Sequence, residues 1–337
     1  MIRLRMSAAD LEQMRFAYSP LAEVAESLYM LSAGQIRPMH RAWFAMTRDA
    51  LRRVDLTLLR AVVPARGSVA SFLLSGAADA ATSIDQQLRL VADYPSEQLR
   101  QDLDVVWGGE QLPEPARQLL ADGPAGARRL ADALGRYWTV AIEPHWRQIR
   151  AVLDADVAYR AARLATGGIA GLLADLHPDL ELQEHAIRID NPRHSIDHDL
   201  RGAGLLLVPC VFAWPHIVID QGSPGERHPS LTYGPRGIGT LWPNELPPAA
   251  EDDALGALLG RSRAAILVSV DLPRSTTDLA RELGQSPPAV SAHLAVLRRN
   301  GLVTSWRNGR RVLYQRTPLA TSIIAASAPH LDLADEA

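Results

Sequence analysis

The sequence predicts an α+β fold, mainly α: a helical N-terminal domain carrying a small β-rich segment, followed by a C-terminal domain of short helices closed by one hairpin. Three observations predict it. Apolar residues recur at three- and four-residue spacing through the first half of the chain, the helical period. Short runs of β-formers separated by Pro, Gly and Asn take over near residue 181. Beyond an acidic, proline-rich stretch the last quarter alternates capped helical patterns with two strands around Asn308-Gly309. At 337 residues, 47% of them hydrophobic, the chain can bury two or three ordinary cores.

The helical half begins at Ser19-Pro20, where the serine can cap and the proline can occupy the first helical position. Further helical segments are read at RPMHRAWFAMTRDALRRV, SIDQQLRLVADY, SEQLRQDLDVVW, EPARQLLADG, ARRLADALGRYWTVAI and EPHWRQIRAVLDADVAYRAARLA. The β-forming runs are HAIRID, GLLLVPCVF, HIVIDQG, SLTY and GTLW. PNELPPAAEDD is the best linker in the chain. The organisation read from these signals is a helical domain at 1–180, a β-rich segment packed on it at 181–243, a linker at 244–253, a C-terminal domain at 254–327 and a disordered tail at 328–337.

Composition excludes several chemistries. All 35 basic residues are arginine, so no P-loop, kinase or pyridoxal-phosphate lysine can be supplied. A single cysteine, Cys210, allows neither an internal disulfide nor a thiolate-rich zinc site. It reads as a buried small hydrophobe within LLLVPCVF. No G-x-S-x-G elbow, H-E-x-x-H pair or G-x-G-x-x-G after a strand occurs, and no cofactor is expected. With no apolar run of membrane-spanning length and no signal-like N-terminus, a cytoplasmic protein without a membrane partner is expected. The charge is uneven: residues 254–320 carry ten arginines against three carboxylates, a net +7 on a chain whose total is -3. A basic block on an acidic body is the asymmetry of a module that faces a polyanion.

That block coincides with a motif. ALGALLGRSRAAILVSVD supplies a first core helix or helix pair. Ser275 followed by Asp278 is a capping-box variant that opens STTDLARELG, with Leu279, Ala280 and Leu283 inward and Gly284 as its stop. After a short turn Ser286 caps a second helix, Pro287 begins it, and Val290, Leu294 and Leu297 form its inward face. Two helices so joined are a helix-turn-helix, whose second helix enters the DNA major groove. The strands LVTSWR and RRVLYQR, turning at Asn308-Gly309, form a wing. Candidates for base edges are Ser286, Ala289, Ser291, Ala292 and His293. Arg298, Arg307, Arg310 and Arg311, with Asn308 at the wing tip, are candidates for phosphate.

DLARELGQSPPAVSAHLAVLRRNGLVTSWRNGRRVLY resembles the ArsR-like winged-helix repressors over about residues 254–325. The resemblance rests on Leu279-Ala280, Ser291-x-His293-Leu294, Leu297, Gly301-Leu302-Val303 and Gly309-Arg310 followed by Tyr314. Ala292 stands where that family often has a basic residue. The resemblance implies a homodimer that binds a double-stranded operator, with the first helix and PLATSIIAAS as dimer-forming elements. The family's usual metal ligands are missing, and the N-terminal region looks like a domain of unknown function fused to such modules.

Other candidate sites lie upstream. Tyr137, Trp138, His145 and Trp146 could line an aromatic pocket for a small-molecule effector. His194 to Asp199 has metal-like spacing, but the flanking Pro and Gly residues read as an exposed loop, which is the stronger reading. The competing function is an enzyme or ligand-binding protein whose N-terminal domain carries the activity and whose winged helix binds another protein. No catalytic constellation supports it.

Overall fold

A computed structural model describes the chain apart from residues 35, 66–68, 75, 78, 80, 184–185, 192–194, 223–227, 243–253, 272, 284, 309–310 and 328–337. The expected linker, the expected disordered tail, Gly309, Arg310 and His194 therefore lie outside the described residues. The fold is α+β and mainly α. The chain forms two compact units, one of residues 1–34 and 46–241, the other of 35–45 and 242–337.

In the first unit the chain runs through β1 (Ile2–Arg5), α1 (Ala8–Glu12), β2 (Arg15–Phe16) and α2 (Pro20–Ser32). Ser19 caps α2 by accepting the Ala22 N–H at 3.0 Å, and Pro20 takes the first position, as the sequence predicts. Then come α3 (Arg41–Leu51), which begins in the second unit, and α4 (Thr57–Val62), α5 (Ile84–Ala92), α6 (Ser96–Val106), α7 (Glu114–Ala121), α8 (Pro124–Ala141) and α9 (Trp146–Leu173). A reciprocal box of Ser83 and Gln86 opens α5, which packs on α8. Gly168, at φ 61° and ψ -159°, breaks α9 in a conformation open to glycine.

Six strands follow: β3 (Leu180–Gln183), β4 (Ala186–Ile189), β5 (Ile196–Asp199), β6 (Leu206–Pro209), β7 (Val218–Asp220) and β8 (Ser230–Tyr233). They enter two sheets, ordered β3-β4-β1-β5 and β2-β6-β8-β7. The first is completed by the N-terminus: β1 lies antiparallel to β4 (Leu4 opposite Ile187) and parallel to β5 (Ile2 opposite Ile196). Ile2, Leu4, Ile187 and Ile189 join Leu172, Leu173, Leu207 and Leu231 in one core.

Two sequence expectations are corrected. Ile196–Asp199, read as loop, is a strand, because β1 offers it a free edge to pair with. GTLW, read as strand, is not one: Gly237 at φ 88° starts a 3-10 turn at Ile238–Thr240.

The second unit contains α10 (Ala254–Leu259), α11 (Arg261–Ser269), β9 (Arg274–Ser275), α12 (Thr276–Glu282), α13 (Pro287–Arg299), β10 (Val303–Asn308), β11 (Arg311–Arg316) and α14 (Pro318–Ser327). Gly260, at φ 81°, separates α10 from α11, so the first helical run is a pair. Val290, Leu294 and Leu297 from α13 pack with Leu267, Leu279, Val303 and Ile324. Burying each such side chain is worth about 1.5–3 kcal/mol, which fixes which face of α13 turns outward.

Candidate nucleic-acid interface

The exposed face of α13 is set by its buried one. With Val290, Leu294 and Leu297 inward, Pro288, Ser291, Ala292, Ala295 and Arg299 form an exposed stripe, while Ala289 and His293 are half-buried at its margins. Ser286 caps the helix, its hydroxyl accepting the Ala289 N–H at 3.4 Å. The N-terminal end of α13 therefore presents only small or cyclic side chains, which lets the helix approach a partner closely. Of this stripe, Pro288, Ala295 and Arg299 were not among the sequence candidates, although the 3.6-residue period points to them.

The helix preceding α13 is equally well defined. Ser275 caps α12 by accepting the Asp278 N–H at 3.3 Å and donates its hydroxyl to the Asp278 carboxylate at 2.7 Å. Asp278 thus answers the serine hydroxyl where a full box would bond the cap's own N–H.

The wing is a true hairpin. β10 and β11 pair in register from Val303 opposite Arg316 to Asn308 opposite Arg311. This moves the turn by one residue: Asn308, expected within the two-residue turn, is the last paired residue of β10. β9 adds a third strand through Leu313 opposite Ser275 and Tyr314 opposite Arg274, so the wing is anchored to the entry of α12. Arg298 and Arg307 are exposed, and Arg298 Nη1 donates to Ser305 Oγ at 3.4 Å, joining the end of α13 to the wing strand. Arg310 is outside the described residues.

The four aromatic-pocket candidates are only partly brought together. Trp138 and Trp146 stack edge to face with centroids 5.2 Å apart. Tyr137 is fully buried and donates its hydroxyl to Ser27 at 3.0 Å. His145 is half-buried, and burial lowers its pKa below the ordinary imidazole value. Of the four, His145 and Trp146 retain surface.

Elsewhere in the first unit the charged groups hold the fold. Asp156 accepts Arg160 Nε at 2.9 Å, the Tyr233 hydroxyl at 2.7 Å and the Arg236 N–H at 3.0 Å. Arg160 also donates to the Leu172 carbonyl at 3.2 Å, across the turn at Gly168. A buried pair so fully bonded fixes geometry, and breaking it by removing one partner costs about 3–5 kcal/mol. Among the described residues no group of three or more His, Cys, Asp or Glu is placed to hold a metal ion, and no helix is long and apolar enough to cross a membrane.

Comparison with known proteins divides the chain in the same sense. Residues 267–305, which run from α11 into β10, match the family described as bacterial regulatory protein, arsR family. Residues 108–233 match a family of unknown function, DUF5937. No curated protein and no solved structure matches.

Proposed function

We propose that the chain, whose residues 267–305 match the arsR family and whose residues 108–233 match a family of unknown function, is a homodimeric repressor that binds a double-stranded operator through α13 and the wing. The observation that carries the reading is the exposed stripe of small residues on α13, ending at Arg299, with Arg298 and Arg307 also exposed. In this reading Ser286, Ala289, Ser291, Ala292 and His293 are the residues that meet base edges when the helix lies in the major groove. The same reading assigns the phosphates to Arg298 and Arg307, which are exposed, and to Asn308, Arg310 and Arg311 of the wing sequence. Support for the dimer comes from α10 and α14, which pack on one another and leave Leu258 and Leu319 in solvent. The N-terminal domain is the input side, and a small-molecule effector would meet the surfaces of His145 and Trp146.

The test is Ala292→Glu in the full chain, assayed by mobility shift on DNA from upstream of its own gene. Glu is a good helix former and position 292 is exposed, so the fold is kept. A carboxylate placed against the DNA should weaken binding at least about tenfold, the effect of roughly 1.4 kcal/mol. Undiminished binding by a folded variant would rule out this face of α13.

A further inference from the structure

The winged helix contains a piece of chain that no helix-turn-helix pattern includes. Residues 35–45 belong to the same compact unit as residues 242–337, although about 200 residues separate them in sequence. A single 3-10 turn, Pro38–His40, packs against α11. His40 is fully buried, and its Nδ1 accepts the indole N–H of Trp242 at 3.2 Å, the rings meeting edge to face at 6.4 Å. Trp43, one helical turn on, is also fully buried.

The strap is linked to the base of the wing through α11, against which it packs. Arg316, the last residue of β11, is tied to the end of α11 by its N–H to the Val270 carbonyl at 2.8 Å and by Nη1 to the Val268 carbonyl at 3.4 Å. Gln315 Nε2 donates to the Asp271 carbonyl at 3.3 Å. Burial lowers the pKa of both Arg316 and Arg41; Asp271 opposes the shift at Arg316, and the charge of Arg41 adds to it. The charge of Arg41 on the strap is thus felt at the residue that anchors the wing.

We propose that residues 36–45 are a positioning strap of the DNA-binding unit, through which the N-terminal half of the chain sets the placement of the wing and hence the affinity for DNA. The inference rests on the DNA-binding reading above. None of these residues faces DNA in it; the strap acts on the wing by preorganisation.

The experiment uses the full chain with Trp242→Phe, which removes the N–H donor together with part of the ring, and His40→Ala, with His40→Asn as the conservative variant because its amide oxygen can take the place of Nδ1 and leaves Trp242 intact. Two quantities are read: DNA affinity as a function of salt, and hydrogen exchange of the Arg316 amide. Losing one buried hydrogen bond is worth about 1 kcal/mol, so the dissociation constant should rise roughly 3- to 10-fold in Trp242→Phe and His40→Ala, and less in His40→Asn. The salt slope should match wild type, since no phosphate contact is lost. Arg316 exchange should quicken several-fold. Folded variants with wild-type affinity and wild-type protection at Arg316 would overturn the proposal. A wild type that binds no DNA would sink the regulator reading instead, and the exchange data still decide whether the strap holds the wing base.

Discussion

Glu23 shows how much one residue can hold and how little of that is written beside it. It is fully buried on α2, its carboxylate accepting the Val211 N–H at 2.8 Å, the Phe212 N–H at 3.2 Å and the Cys210 thiol at 3.1 Å. Burial raises its pKa to about 7, against the pull of those three donors. Burial raises the pKa of the Cys210 thiol, and the charges of Glu23 and of Glu26 on the same helix add to that rise. The sign follows from the folded value lying above the unfolded value of about 4.3. The stability this group contributes is fully present below the unfolded value and is lost as the pH rises through about 7. In Glu23→Gln that dependence should vanish, so the stability of wild type relative to the variant, read from denaturant midpoints, should fall between pH 5 and 8. A difference that stays flat over that range contradicts the assignment. The burial of Cys210 was legible in its apolar run. Its bond to a carboxylate 187 residues away was not, because sequence pattern reports burial and says nothing of which distant polar atom meets it.

At the scale of elements, legibility followed locality. The caps at Ser19, Ser275 and Ser286 and the inward face of α13 were readable because each depends on residues within one or two turns. β1 and β5 were not, because four-residue strands carry little pattern and their pairing joins the N-terminus to residues near 190. The wing turn was read one residue early, since Asn-Gly is the preferred turn pair, yet the observed register places Asn308 opposite Arg311. The inclusion of residues 35–45 in the DNA-binding unit had no sequence signal at all, for it depends on His40 meeting Trp242. The outward leucines of α10 and α14 carry a prediction at this scale. Charging both, Leu258→Glu with Leu319→Glu, should shift the protein from dimer to monomer in sedimentation. It should also weaken operator binding by more than about tenfold, because two half-sites are no longer held together. A variant that sediments as a dimer contradicts the proposed face.

Across the whole molecule the charge is divided as the function requires. The net +7 of residues 254–320 lies on a chain of total charge -3, so the attraction to a polyanion is concentrated in the unit that carries the helix-turn-helix. That asymmetry, the arginine-flanked α13 and the arsR-family match were all approached from sequence, whereas the N-terminal half carries a match only to a family of unknown function. The most direct measurement is the salt dependence of DNA binding by wild type and by Arg298→Ala with Arg307→Ala. A regulator gripping phosphate through these arginines loses at least about tenfold in affinity between 50 and 200 mM salt, and the double variant flattens the log–log slope by about 0.9 for each phosphate contact removed. Binding that ignores salt, or a slope untouched by the double substitution, would contradict the DNA-binding role of this face.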